Sequence, residues 1–323
     1  MSETCDASAR AYVPCHGPMP TWTTRIGWPP DLLEVSDLSS VALEELLDLA
    51  ARMKAEPAAW TATLAGESLA CVFDVPSARE RVLAEAAAHR LGMAPVVLSM
   101  RDLDDPAAVS EYATAVVAVG NEHETLKRIA AAMSAPVVNG RSQEHHPCQA
   151  LADLLTLREQ VGALRDIAVA YVGDADTNIA QSVMAAGALA GMDVRIACPP
   201  DHMPAPELRV AAEVRAGLHG GRIRVTDDPR EAVTDAGAVY TAAWSHEDDA
   251  LRSYRLDGRL MQLAKPRAVT LHSLPARRGP EATPDLIAGR RSLVADQAAN
   301  RLPIQEAAVY ALVAARRPEL AHA

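Results

Sequence analysis

A histidine and a glutamine flank a proline in the run His146-Pro147-Cys148-Gln149, and a long apolar segment follows it. Proline is favoured at the first position of a helix, so the run predicts a helix start that holds His146 and Gln149 together. The free backbone N–H groups of a helix start attract a carbonyl oxygen or an anion. The run therefore indicates a site for a carbonyl oxygen or an anion, although a helix start with a capping histidine would show the same pattern.

A second candidate anion site is Ser77-Ala78-Arg79-Glu80, where a strand pattern changes to a helical one. Ser77 is a favourable N-cap residue, and Arg79 falls in the first helical turn. Backbone N–H groups, a hydroxyl and a guanidinium would then face an anion. The alternative is a capped helix whose arginine and glutamate face solvent.

Short apolar strands alternate with helical patterns along most of the chain. This alternation predicts an α/β fold with two doubly wound parallel sheets, joined by a long helix over residues 147–162. Three of the strands are expected at 136–139, 238–241 and 268–271. A short strand is expected at 293–296, and a final helix at 304–315. Ligands of such sheets bind beyond the carboxyl ends of the strands, and the polar clusters follow strands.

The same patterns divide the chain into four parts. Residues 1–30, rich in Pro, Thr and Ser, would form an N-terminal arm. Residues 31–150 and 151–295 would form the two α/β domains. Residues 296–323 would carry a C-terminal helix that packs back on the first domain.

Composition excludes several classes of partner and location. The net charge of −11 disfavours nucleic acid and anionic membrane surfaces. No apolar run reaches the length of a membrane span, and the N-terminus lacks the pattern of a secretion signal. Five scattered cysteines favour a reducing cytoplasm over a disulfide framework.

The adjacent His145, His146 and Cys148 raise the question of a metal site. No second pair of ligands with zinc spacing accompanies them in the sequence. We therefore expect no metal.

These motifs, in their order over residues 33–312, resemble those of the aspartate/ornithine carbamoyltransferase superfamily and are closest to the ornithine type. The resemblance implies that His146 and Gln149 hold the carbamoyl group of carbamoyl phosphate. It implies a phosphate loop at Ser77, Ala78, Arg79 and Glu80, and a far arginine, Arg301, that closes the site. It also implies a homotrimer that uses no cofactor.

The resemblance extends to the amino-acid acceptor. The family residue that matches Asn178 binds the acceptor. His272-Ser273-Leu274 resembles a motif in which backbone carbonyls approach the attacking amine. These matches imply an enzyme that transfers a carbamoyl group to the amine of a small molecule.

Several family residues are replaced. The family has a phosphate-binding threonine at the position of Glu80, an arginine at Val119 and an acidic acceptor-binding residue at Ala242. The segment 101–110 is also shorter than the family's loop. Glu80 must turn onto Arg79 or Arg301, or the site no longer takes an ordinary phosphate dianion, because a carboxylate about 4 Å from a phosphate costs roughly 4 kcal/mol.

We therefore expect a carbamoyltransferase-like enzyme that takes carbamoyl phosphate or a related donor and a small amine or amino acid other than ornithine. Two alternatives remain open. One is a non-catalytic relative that binds a metabolite or a protein partner, which Val119 and Ala242 favour. The other is different chemistry in the same cleft, such as hydrolysis or elimination.

Overall fold

The computed structural model describes residues 27–74, 77–120, 122–165, 167–244, 248–273 and 279–317. Within these residues, two sheets of entirely parallel strands follow one another along the chain. Helices cover them, and the predicted fold class is confirmed. No helix of this described part is both long and apolar enough to cross a bilayer.

The first half carries a four-stranded sheet. Its elements are, in chain order, α1 (Ser40–Ala55), β1 (Ser68–Phe73), α2 (Ala78–Arg90), β2 (Ala94–Ser99), α3 (Pro106–Ser110), β3 (Ala115–Val119), α4 (His123–Ala132), β4 (Val137–Arg141) and α5 (Pro147–Val161). The strand order is β2-β1-β3-β4. All five residues of β3 are buried, as expected for a strand that is covered on both faces.

The second half carries a five-stranded sheet. Its elements are β5 (Ala168–Val172), α6 (Asn178–Leu189), β6 (Asp193–Ala197), α7 (Pro206–Leu218), β7 (Arg222–Thr226), α8 (Pro229–Val233), β8 (Ala238–Ala242), α9 (Gly258–Met261), β9 (Val269–Ser273), α10 (Pro284–Ile287) and α11 (Val294–Arg316). The strand order is β7-β6-β5-β8-β9. The order reverses at β5 and β8, which is where ligands of such sheets bind.

Helix α5 connects the two sheets, as its sequence predicts. Pro147 occupies its first turn, and its residues from Pro147 to Leu157 are buried. The helix ends at Val161, and the next residue, Gly162, has a φ of 81° that is readily adopted only by glycine. The site residues at its N-terminus are therefore fixed by a helix that packs against both halves.

Helix α11 corrects two expectations. The strand predicted at 293–296 does not form, because α11 already begins at Val294 and Ser292 makes only a single bridge to Thr270. The helix begins ten residues before the predicted start at 304 and contains Pro303. Proline lacks a backbone N–H and normally ends a helix, so the sequence pattern places the start after it. Burial of most of the helix against α1, α2 and α5 outweighs that cost.

Three strands extend further than the sequence predicts. β4 continues to Arg141, β8 to Ala242 and β9 to Ser273. Each extension adds residues at the carboxyl end of a strand. The last residue of each strand, Arg141, Ala242 or Ser273, lines the cavity described below.

One buried carboxyl should make the free energy of unfolding depend on pH. Glu306 on α11 is 1% exposed, and its Oε1 lies 3.4 Å from Arg90 Nη1. Burial raises the pKa of Glu306 from 4.5 to about 7. The unfolded chain loses this proton near pH 4.5 and the folded chain only near pH 7, so the free energy of unfolding should fall by up to about 3 kcal/mol as pH rises through this interval.

We expect Glu306→Gln to remove that part of the pH dependence and to be more stable than the wild type at pH 8. Glutamine keeps an oxygen that can accept from Arg90 but carries no charge to desolvate. Urea unfolding at pH 5 and pH 8 measures the difference. The exposed Glu213→Gln serves as the control, and equal pH dependence in wild type and Glu306→Gln would contradict the assignment.

Candidate functional site

The predicted polar clusters meet at one cavity of about 180 Å³ between the carboxyl ends of the two sheets. The cavity brings together five predicted site residues, which come from both halves of the chain: Arg79, His146, Gln149, Asn178 and Ser273. Its lining also includes Arg141, Thr177, Ile179, Ala242 and Ala243. The sequence did not single out Arg141.

His146 is the N-cap residue of α5 and is 4% exposed. Its backbone N–H donates to Ser182 Oγ at 2.8 Å, and its Nδ1 has no hydrogen-bond partner among the described residues. Burial, and after it the charges of Arg301, Arg141 and Arg79, hold the pKa of His146 well below its ordinary value. The ring is therefore neutral near pH 7 and can donate one N–H to a carbonyl oxygen.

The side chain of Gln149 is oriented by a buried carboxylate. Its Nε2 donates to Asp153 Oδ1 at 2.8 Å, and Gln297 Nε2 donates to the same oxygen at 2.7 Å. Tyr240 donates its hydroxyl hydrogen to Asp153 Oδ2 at 2.7 Å. A carboxylate only accepts, so the amide nitrogen of Gln149 must face it. The amide oxygen of Gln149 is left to accept a bond from a ligand N–H.

Asp153 is a positioning residue that the sequence analysis missed. It is 3% exposed and lies one helical turn after Gln149. Burial raises its pKa to about 6, although the bonds from Gln297, Tyr240 and Gln149 oppose the rise. Its signal in the sequence was a lone carboxylate within an apolar helix.

Glu80 turns away from the cavity, which is the first of the two outcomes expected from the sequence. Its Oε1 and Oε2 lie 3.0 and 2.5 Å from Arg301 Nη1 and Nη2, and its Oε1 lies 3.5 Å from Arg79 Nε. Glu80 is 2% exposed and Arg301 is 6% exposed. The expected contact of Glu80 with the donor is therefore replaced by a buried ion pair that joins α2 to α11. Such a pair typically costs about 3–5 kcal/mol when one partner is removed.

Arg301 borders a neighbouring, largely apolar cavity of about 240 Å³ that shares Arg79 and Gln149 with the first. Its two terminal nitrogens are committed to Glu80. Arg301 therefore contributes little unpaired charge to the site.

Arg141 adds a guanidinium that the sequence analysis missed, because the strand pattern was taken to end two residues earlier. It is the last residue of β4 and lies in register with Val119 of β3, after an irregularity between Ala118 and Val119. No carboxylate pairs with it among the described residues. Arg141 thus places a cation beside Val119, where the family resemblance leads one to expect an arginine.

The electrostatic character of the site follows from these arginines. Burial, together with the charges of Arg301 and Arg141, lowers the pKa of Arg79, and Glu80 opposes this. Glu80 neutralises Arg301. The cations that line the cavity are therefore Arg79 and Arg141. Their positive charge favours an anion beside His146.

Residues of the second half of the chain form the other wall of the 180 Å³ cavity. Asn178 begins α6, and its Nδ2 donates to the carbonyl oxygen of Ser142 at 2.8 Å, which ties the two halves together. Ala242 and Ser273 end β8 and β9. No carboxylate is among the described residues that line this wall.

His272 does not line the 180 Å³ cavity. It is 1% exposed, with Nδ1 2.6 Å from the carbonyl oxygen of Ser273 and Nε2 3.2 Å from Glu281 Oε1. Both ring nitrogens are thus engaged, and His272 orients the end of β9 instead of presenting a free group. Leu274, the next residue of this motif, lies outside the described residues.

The start of α2 agrees only in part with the expectation. Ser77 occupies the N-cap position, but its side chain makes no capping hydrogen bond. Ala78 is the first helical residue, so its backbone N–H lies in the first turn. Neither residue lines the 180 Å³ cavity.

Comparisons with known proteins cover both halves of the chain. A family model described as the aspartate/ornithine carbamoyltransferase, carbamoyl-P binding domain matches residues 30–159, and one described as the Asp/Orn binding domain matches residues 165–312. An ornithine carbamoyltransferase of Listeria innocua is 36% identical over 305 residues, which cover 88% of this chain and 96% of that protein.

Two further relatives agree. An ornithine carbamoyltransferase of Methanothermobacter thermautotrophicus is 39% identical over 300 residues, which cover 87% of this chain and 98% of that protein. The crystal structure of ornithine carbamoyltransferase from Gloeobacter violaceus matches with a TM-score of 0.84 at 35% identity, and the match covers 90% of this chain and all of that one (100%). Sequence and structure are thus similar to the same kind of protein over nearly the whole described chain.

Proposed function

The chain belongs to the aspartate/ornithine carbamoyltransferase superfamily, a family of transferase enzymes, and we propose that it moves the carbamoyl group of carbamoyl phosphate to the amine of a small amino acid. The observation that carries the proposal is the common cavity of His146, Gln149, Arg79 and Arg141. It combines a donor and an acceptor for a planar amide with two cations for a phosphate.

The donor would be held by its two ends. His146 would donate an N–H to the carbamoyl oxygen, and the amide oxygen of Gln149 would accept from the carbamoyl NH₂ group. Arg79 and Arg141 would bind the phosphate oxygens, with the first turn of α2 close by. The bond from His146 grows stronger as negative charge develops on the oxygen, so the same contact stabilises the transition state.

The reaction is a substitution at the carbamoyl carbon. The lone pair of an uncharged acceptor amine forms the new C–N bond, the C–O bond to phosphate breaks, and the two arginines stabilise the departing phosphate. The departing phosphate accepts the proton that the amine loses. The protein would act mainly by holding the two substrates in contact and by its fixed dipoles.

Calorimetric titration with carbamoyl phosphate tests this proposal directly. We expect one site per chain, and release of phosphate once an acceptor amine is added. Absence of binding at millimolar concentration would favour the alternative of a non-catalytic relative. Binding followed by phosphate release without any acceptor would indicate hydrolysis in the same cleft.

We propose that the preferred acceptor is not ornithine, although the relatives named above are ornithine carbamoyltransferases. The described lining offers Asn178, Ser273 and Ala242 but no carboxylate for the acceptor's α-ammonium group. An acceptor whose α-nitrogen is uncharged would not need one. Steady-state rates with ornithine, Nα-acetylornithine and simple amines distinguish these acceptors.

Introducing a carboxylate should change this preference. We expect Ala242→Asp to raise kcat/KM for ornithine by about 10- to 100-fold, because a hydrogen bond between charged groups contributes about 1.5–3 kcal/mol. Ala242→Asn is the matched control, since it has nearly the same shape without the charge. An equal gain in both variants, or no gain in either, would show that this wall does not hold the α-ammonium group.

We further propose a homotrimer in the cytoplasm, on the basis of the family resemblance. The edge strand β2 exposes Val96 and Val97, and Tyr112 is 85% exposed nearby in sequence. Light scattering would give a mass three times the chain mass of 34.3 kDa if the assembly is trimeric.

A further inference from the structure

Glu34, His123 and His145 come together from three separate segments of the first half. A ring nitrogen of each histidine and a carboxylate oxygen of Glu34 all lie within 4.8 Å of one another. His145 Nε2 is 3.6 Å from Glu34 Oε2, and the two imidazole centroids are 4.3 Å apart. None of these residues lines the cavity that contains His146.

His123 is buried with an unpaired ring nitrogen. The residue is 5% exposed, and its Nε2 has no hydrogen-bond partner among the described residues. A buried polar atom without a partner is costly, so its presence here requires an explanation. A ligand that accepts its lone pair would remove the cost.

The hydrogen bonds of Ser142 determine which nitrogen of His123 is free. The Ser142 hydroxyl can donate to the carbonyl oxygen of His145 at 3.2 Å, and its oxygen lies 3.4 Å from His123 Nδ1. With its hydrogen committed to His145, Ser142 can only accept from the ring. Nδ1 of His123 then carries the proton, and Nε2 presents a lone pair. Metal-binding histidines typically have such a second hydrogen bond.

We propose that Glu34, His123 and His145 bind a divalent transition-metal ion, with Zn²⁺ as the best match. Two imidazoles and one carboxylate are ligands that Zn²⁺ accepts, and three protein ligands leave a fourth position for water. Glu34 and His145 also border a surface cavity of about 420 Å³, through which an ion can enter.

The proposal departs from the expectation of no metal. That expectation considered His146 and Cys148 as companions of His145, but the structure directs both elsewhere. His146 lines the 180 Å³ cavity, and Cys148 Sγ is 3.5 Å from the carbonyl oxygen of Asn139. The companions that we propose for His145 are distant from it in sequence, so their spacing gives no zinc pattern.

The ion would have a structural role. It would join the N-terminal segment at Glu34 and the start of α4 at His123 to the loop that precedes α5. His145 is the residue directly before His146, so the ion would hold the loop that positions the donor-binding imidazole. The role does not depend on the identity of the acceptor.

The experiment uses the full chain after dialysis against a chelator. Calorimetry with Zn²⁺ should show one site per chain, and the thermal unfolding midpoint should rise with the ion. Co²⁺ should give visible absorption bands without the near-ultraviolet band of a thiolate ligand. A thiolate band, or binding with no rise in the unfolding midpoint, would overturn the proposal.

Two variants locate the site. We expect Glu34→Gln and His145→Gln each to weaken Zn²⁺ binding by about 100-fold or more, since loss of outer partners alone costs about 10- to 100-fold. His89→Gln, on the exposed end of α2, is the matched control and should bind like the wild type. Because Glu34 is partly exposed, we expect Glu34→Gln to fold. It therefore tests the site even if His145→Gln does not fold. Wild-type affinity in Glu34→Gln would refute the assignment.

Discussion

Replacing Arg141 with glutamine should weaken the binding of carbamoyl phosphate by about 100-fold. Arg141 is one of two guanidinium groups that line the cavity, and it pairs with no carboxylate among the described residues. A hydrogen bond between charged groups contributes about 1.5–3 kcal/mol, and about 2.7 kcal/mol corresponds to a hundredfold change in affinity. Calorimetric titration of wild type and variant measures the loss.

Two further variants separate charge from geometry. Arg141→Lys keeps the charge but cannot form the planar fork of two parallel hydrogen bonds, so we expect an intermediate loss. Arg101→Gln removes the same charge from an exposed position and should bind the donor like the wild type. If Arg141→Gln binds as tightly as Arg101→Gln, Arg141 does not contact the donor.

The proposed role of Arg141 puts the phosphate-binding cation at a different position of the same site. The family resemblance places an arginine at the position of Val119, and its loss favoured a non-catalytic interpretation. In the sheet, Val119 and Arg141 occupy paired positions on neighbouring strands. On the proposed function, the guanidinium at the end of β4 takes the place of the one that the resemblance leads one to expect at the end of β3. The sequence alone shows this only if the pairing of the strands is known.

The fold was predictable because its signals are local. Alternation of strand and helix patterns indicated two parallel sheets, and proline at the start of α5 indicated where His146 and Gln149 lie. β3 begins and ends where its run of apolar residues does, at Ala115 and Val119. The exception is α11, where burial against three helices outweighs the cost of Pro303.

The partners of the site residues were not predictable, because they are distant along the chain. Glu80 and Arg301 are 221 positions apart, and Asp153 and Gln297 are 144 apart. A sequence shows that Glu80 carries a charge, but only the packing of α11 on α2 shows which cation neutralises it. His272 is similar, since the partner of its Nε2, Glu281, lies outside the motif that the sequence singled out.

Asp153→Asn should lower kcat by about 100-fold. The carboxylate of Asp153 accepts hydrogen bonds from Gln149, Gln297 and Tyr240. In an asparagine, an NH₂ group replaces one of the two carboxylate oxygens, so it faces a neighbouring N–H or O–H donor instead of accepting from it. The amide of Gln149 then loses its fixed orientation. Because Asp153 acts through Gln149, the loss should appear in kcat and in the affinity for the carbamoyl donor. The free energy of unfolding is measured separately to exclude a general loss of structure.

The pH profile tests this role separately from a general loss of structure. Burial raises the pKa of Asp153 to about 6, so the carboxylate is lost as pH falls through 6, and wild-type kcat should fall with it. Asp153→Asn should lack this acidic limb. Tyr240→Phe removes one bond that stabilises the carboxylate but leaves Gln149 held, so it should shift the limb to higher pH with little loss of kcat at pH 8. A limb that stays at pH 6 in both variants would mean that another group controls it and that Asp153 does not position Gln149.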